Sequence, residues 1–132
     1  MEMIVEFPGG DRVDAHFGNF TVKTDQRSAT GEQSAPAPFS LFLASIGTCA
    51  GIYVKHFCDQ RGISAEGIRI VQRDHRDGQT GMVNLIDLEI QVPPTFPEKY
   101  TRALVNTAEL CAVKRHLMNP PQFNTYTKVV AE

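Results

Sequence analysis

The stretch from Phe39 to Phe57 restricts the fold of this chain more than any other part of it. Drawn as a helix, it carries apolar residues on every side: Leu41, Phe42, Leu43, Ile46, Ile52, Tyr53, Val54 and Phe57. A helix that is apolar all round must be buried all round. A chain of 132 residues can hardly wrap such a helix alone, so a second copy is expected to help cover it. Pro36 and Pro38 fit before or at its first turn. Gly62 fits its stop, which predicts a helix over about residues 39–60.

Prolines, glycines and hydroxyls interrupt the uncharged run from Gln33 to Val54. Its apolar part therefore reads as too short and too broken for a membrane span. The N-terminal MEMIVEFPGG lacks the basic region and long apolar stretch of a secretory signal. Apolar residues make up 42% of the chain, enough for the core of one domain over residues 1–132. The net charge is −2, and the one tight basic run is Lys114-Arg115-His116. Phosphate binding wants a concentrated basic face, so nucleic acid is not the expected partner.

The elements around the helix come in blocks. Residues 3–6 alternate as a strand, and Pro8-Gly9-Gly10 turns the chain. Residues 12–17 and 20–23 form a hairpin through Gly18-Asn19, and 24–38 read as a long polar loop. After the helix, residues 68–72 and 83–92 form a second hairpin with its turn signal at Arg76-Asp77-Gly78. Thr95 to Glu98 matches a capping box and predicts a second helix from near Phe96. On it Leu104, Ala108 and Cys111 share a face. Asn119-Pro120-Pro121 breaks that helix, and residues 123–130 read as a last strand. The class is α+β.

Three cysteines in such a chain suggest a reducing compartment, hence a cytoplasmic protein, where thiols serve as packing or chemistry. Cys49 and Cys58 lie on one helix, about 13.5 Å apart along its axis and about 180° around it. A disulfide wants Cα atoms roughly 4.4–6.8 Å apart, which excludes that pair. Cys49 with Cys111 joins two apolar helix faces that could meet. Cys58 with Cys111 stays open but puts the thiol near a helix end. A buried cysteine is usually a small hydrophobe, and Cys58 is read so. Around Cys49, however, Gly47, Thr48, Ala50 and Gly51 are all small. They leave room for a ligand or for a closely packed helix. The histidines show no metal-ligand spacing, and a metal is not expected.

Pro38, the small-residue run to Cys49, and the later Cys111-Ala-Val-Lys-Arg-His-Leu117 together resemble the OsmC/Ohr family of osmotically inducible and organic-hydroperoxide-resistance proteins. GGDRVDA followed by PAPFSLFLASIGTCAGIYV is similar to a subgroup of OsmC-like members. The resemblance implies an intertwined homodimer with antiparallel sheets and two main helices per chain, the cysteine-bearing helices central. It implies that Cys49 attacks an organic hydroperoxide and that Cys111 resolves the product as a disulfide. A thiol or dithiol reductant then restores both thiols. Two departures stand out. Where the family carries an acid that holds an arginine over the reactive sulfur, this chain has Phe39 and Ser40. Ala112 stands where the family usually has proline. Arg12 and Arg27 are the candidates to supply a cation to Cys49. The alternative reading is a non-enzymatic dimer of the same fold that binds a hydrophobic small molecule, its thiols never turning over.

Overall fold

The computed structural model describes residues 1–131. The chain divides into two compact units, Met1–Ser45 and Ile46–Glu132, each described here by itself.

The first unit is an antiparallel meander of β1 (Ile4–Gly9), β2 (Arg12–Phe17) and β3 (Phe20–Thr24). Phe17 pairs with Phe20, so Gly18-Asn19 forms a two-residue turn. Gly18 has φ 55°, the left-handed conformation that the first position of such a turn demands. Pro8 is tolerated because β1 is an edge strand. The polar loop that follows is pinned by Asp25. Its carboxylate accepts from the Ser34 hydroxyl at 2.7 Å, from the Ser34 amide at 2.9 Å and from the Gln26 amide at 2.8 Å. These bonds, those from Ser34 foremost, favour the charged carboxylate and lower its pKa.

Helix α1 runs unbroken from Pro38 to Gln60. It ends as the sequence predicts: Gly62 has φ 65°, and the Ile63 amide reaches back to the Cys58 carbonyl at 2.9 Å. This is a Schellman close with Ile63 as its apolar contact. In the second unit α1 presents Ala50, Val54, Phe57 and Cys58 to the core, with Phe96, Leu104 and Ala108 opposite. Strands β4 (Arg69–Arg76) and β5 (Val83–Gln91) form an antiparallel hairpin. Ile70, Leu88 and Ile90 pack against that core from the sheet. Asp77, not Gly78, organises the hairpin turn: its carboxylate accepts from the amides of Gln79 and Thr80.

Three expectations need correction. The second helix is split. A single 3₁₀ turn, Glu98–Tyr100, leads into α2 (Thr101–Ala108), and α3 (Ala112–Met118) begins separately. The predicted capping box fails because Pro97 keeps the residue before it out of helical conformation. Pro97 itself, with ψ 117°, caps the 3₁₀ turn. The predicted strand over residues 123–130 is absent, and residues 119–131 lie in neither helix nor strand. A strand needs a neighbour to bond to, and this segment has none in its unit. Helix α1 is left partly uncovered by its own chain, as expected of a chain this small: Phe39, Phe42 and Ile52 remain exposed. Finally, α1 is long and apolar enough to cross a membrane by length and composition alone, because its small residues do not interrupt it.

Candidate thiol site

Cys49 sits in the middle of α1, half-buried. Cys111 does not ride on a continuous helix. It is the N-cap of α3, with extended backbone at φ −61° and ψ 149°. The break after α2 turns its sulfur toward the start of α3, where it accepts from the Lys114 amide at 3.4 Å. Sulfur here does what a serine oxygen does at many helix starts. Ala112 is then the first residue of α3, the helix position where proline fits best.

The structure makes Cys49 and Cys111 neighbours: the Cys49 thiol lies close enough to act on the ionisation of Cys111. Cys58 stands apart in the core, fully buried at 0% exposure. All three thiols are free. Of the two pairings left open, Cys49 with Cys111 is the one whose thiols act on each other.

Burial pushes the Cys111 thiol up from its usual pKa, and the neighbouring Cys49 thiol pushes the same way. The Lys114 amide and its ammonium pull down, but burial wins. Burial also raises Cys58, helped by the Asp59 carboxylate. The sign of the linked effect follows. A thiol whose pKa is raised by folding stabilises the fold below the unfolded value of about 8.5. That contribution is lost as pH rises through the higher folded value. The reduced protein is therefore expected to lose stability above about pH 8.5, and Cys58→Ala is expected to fall less steeply. Urea midpoints from neutral to alkaline pH check this. Parallel curves for the two proteins would contradict it.

The small residues near Cys49 serve packing. A Cβ built on Gly47 would lie 2.5 Å from Gln72 Oε1, and one on Gly51 would lie 4.0 Å from Ile70 Cδ1. Gln72 and Ile70 are alternate residues of β4. Gly47 and Gly51 are one turn apart, about 160° around the helix from Cys49. They let the sheet approach α1 on the side away from the thiol, so the expectation that they open a path to the sulfur is revised. Gly51→Ala meets only an ordinary contact, and it is expected to stabilise the protein by about 0.5–1 kcal/mol. Gly47→Ala must push the Gln72 amide aside and is expected to gain less. Thermal or urea unfolding of both variants tests the ordering.

Arg12 and Arg27 belong to the first unit. The Arg12 Nε donates to the Gly9 carbonyl at 3.2 Å, and the Arg27 guanidinium lies over Gly31. In the second unit Lys114, from the basic run, donates its amide to the Cys111 sulfur and pairs through its ammonium with Glu109. The sequence reading missed a bond from Arg115 Nη2 to the Tyr53 hydroxyl at 3.2 Å. The signal was present: each partner lies four residues beyond a paired cysteine. Among the described residues no group of three or more His, Cys, Asp or Glu is placed to hold a metal ion.

Comparison with known proteins agrees with this architecture. The model of the family described as OsmC-like protein matches residues 31–126. No curated protein sequence matches the chain. An OsmC-like protein from Mycoplasma pneumoniae superposes with a TM-score of 0.67 at 13% identity, covering 90% of this chain and 87% of its own. An organic hydroperoxide resistance protein OsmC from Legionella pneumophila gives 0.55 at 21% identity, covering 89% of each chain. A candidate osmotic stress induced and detoxification response protein from Psychrobacter arcticus 273-4 gives 0.70 at 20% identity, covering 86% and 85%. At these identities the structures speak for the fold, whereas the family match spans most of the sequence. The α+β chain, with its two small antiparallel sheets and its thiol pair on α1 and α3, belongs to the OsmC-like protein family.

Proposed function

We propose that this protein is a thiol-dependent reductase of organic hydroperoxides, acting in oxidative-stress defence. The observation that carries the reading is the pair of neighbouring thiols, Cys49 half-buried and Cys111 buried. The division suits the two roles. Peroxide meets the thiol that has access, and the buried partner keeps its proton until it is needed. The Cys49 thiolate attacks the outer oxygen of the hydroperoxide, the O–O bond breaks, and the leaving alkoxide takes a proton to become an alcohol. Cys49 is left as a sulfenic acid. The Cys111 sulfur then bonds to the Cys49 sulfur, and the hydroxyl leaves as water with the Cys111 proton. A thiol or dithiol donor returns two electrons and two protons by exchange. No metal or organic cofactor enters this cycle. The name of the Legionella relative, a hydroperoxide resistance protein, points the same way.

The test is consumption of cumene hydroperoxide by the purified protein with a dithiol. Turnover that needs both protein and dithiol supports the reading. Absence of turnover in a folded, fully reduced protein would favour the hydrophobic-ligand binder instead.

The proposed working form is a cytoplasmic homodimer that engages neither nucleic acid nor membrane. Phe39, Phe42 and Ile52 leave one side of α1 open. The tail presents Phe123, Tyr126 and Val129 to solvent, and Val129 is 99% exposed. An apolar helix side and an unpaired β-prone segment are what a second copy would cover and pair with. Sedimentation at micromolar concentration is expected to show a dimer. A folded monomer there would overturn this assignment.

A further inference from the structure

The thiol pair is not the sole tie between α1 and the segment that begins α3. Cys49 meets Cys111, and one helical turn further along each element Tyr53 meets Arg115. Four residues separate the members on both sides, a rise of about 6 Å on a helix. The second tie matters because α3 is weakly held. It has seven residues, and none of them is buried. Its other side-chain bonds are local: Lys114 pairs with Glu109, and the His116 ring bonds the Ala112 carbonyl within the same helix. Local bonds cannot fix where α3 sits against α1. The Arg115 bond to Tyr53 can, because it joins residues 62 positions apart in sequence.

We propose that Tyr53 and Arg115 form a clamp that holds α3 in register with α1 and so sets the geometry in which Cys111 closes on Cys49. They are positioning residues: they touch neither sulfur. A disulfide tolerates only a narrow range of Cα separations, so a short helix free to slide would spend less time in the closing geometry. The clamp raises the effective concentration of one thiol toward the other without altering either thiol's chemistry.

The inference rests on the thiol-pair reading, and one experiment separates the two. The reduced protein is equilibrated with glutathione buffers of known composition, and the Cys49–Cys111 disulfide is quantified by mass after alkylation. Each disulfide that closes converts one glutathione disulfide into two glutathione thiols, so the equilibrium gives the effective concentration directly. Tyr53→Phe and Arg115→Gln should each lower it about three- to tenfold, the worth of one such hydrogen bond. The double variant should fall no further, since both changes remove the same tie. Arg115→Lys, which can still donate to the Tyr53 oxygen, should recover part of the loss. Alkylation of Cys58 in the native protein reports core opening. It should stay at the wild-type rate, which a general loosening of the structure would not allow.

A wild-type protein that forms no Cys49–Cys111 disulfide would remove the thiol-pair reading and the clamp with it. A wild type that closes normally, with single variants that close equally well, would overturn the clamp alone. Additive losses accompanied by faster Cys58 alkylation would also overturn it.

Discussion

Replacing Cys49 by serine is expected to reduce dithiol-dependent hydroperoxide consumption to the rate of the dithiol alone. Serine keeps the size of the side chain but cannot supply a thiolate. The partner variant separates the two roles. Cys111→Ser keeps the accessible sulfur, so the first equivalent of peroxide should still be reduced and Cys49 should accumulate as sulfenic acid. The later step then depends on a thiol from solution, and steady turnover at millimolar donor should drop by at least about tenfold. Trapping with a sulfenic-acid reagent, read by mass at Cys49, distinguishes this from simple inactivation. Cys58→Ser should keep the wild-type rate, because Cys58 lies in the core away from the pair. If Cys58→Ser lost turnover while Cys111→Ser kept it, the assignment of the resolving thiol would be wrong.

The sequence was most legible where local chemistry decides local structure. Gly62 stopped α1 within the predicted turn because a left-handed residue there closes a Schellman motif. Gly18-Asn19 turned β2 into β3 for a similar reason. The hairpin of β4 and β5 followed from alternating Ile86, Leu88 and Ile90, of which Leu88 and Ile90 pack on the core. Legibility failed where one residue answers to two demands. Leu104, Ala108 and Cys111 have helical spacing and are all buried, yet the helix ends at Ala108 and Cys111 starts the next one. Periodicity shows a shared buried side but not a break in the backbone behind it. Gly47 and Gly51 misled differently. Small residues beside a cysteine signal space, but only the structure shows that Gln72 and Ile70 of β4 fill it. Residues 123–130 have strand composition, but among the described residues no strand pairs with them, and composition does not show whether a ladder has a neighbour.

Phe57→Ala is expected to cost about 3–5 kcal/mol, the range for removing a large buried aromatic side chain. Phe57 is 3% exposed and meets Tyr100 edge to face, with ring centroids 6.0 Å apart. The Arg61 guanidinium covers its ring at 3.7 Å and donates to the Phe57 carbonyl at 3.2 Å. The aromatic pair contributes about 0.5–1.5 kcal/mol beyond area burial. The rest is transfer and cavity cost, since Val54 and Cys58 cannot close around the lost ring. Against a total stability of about 5–15 kcal/mol, this one side chain carries a third or more in a marginal case. The consequence reaches the thiol site. Tyr100 ends the 3₁₀ turn that leads into α2, and α2 leads to Cys111. Loosening Tyr100 from α1 therefore loosens the segment that delivers Cys111. Phe57→Leu keeps most of the volume and should cost less than half as much. Urea midpoints at one fixed protein concentration measure both costs, because the midpoint of the proposed dimer would move with concentration. Native-state alkylation of Cys58, next in sequence to Phe57, should accelerate in the alanine variant and much less in the leucine variant. A cost below about 1 kcal/mol for Phe57→Ala, the size of an average substitution, would mean that this aromatic contact does not hold the core together.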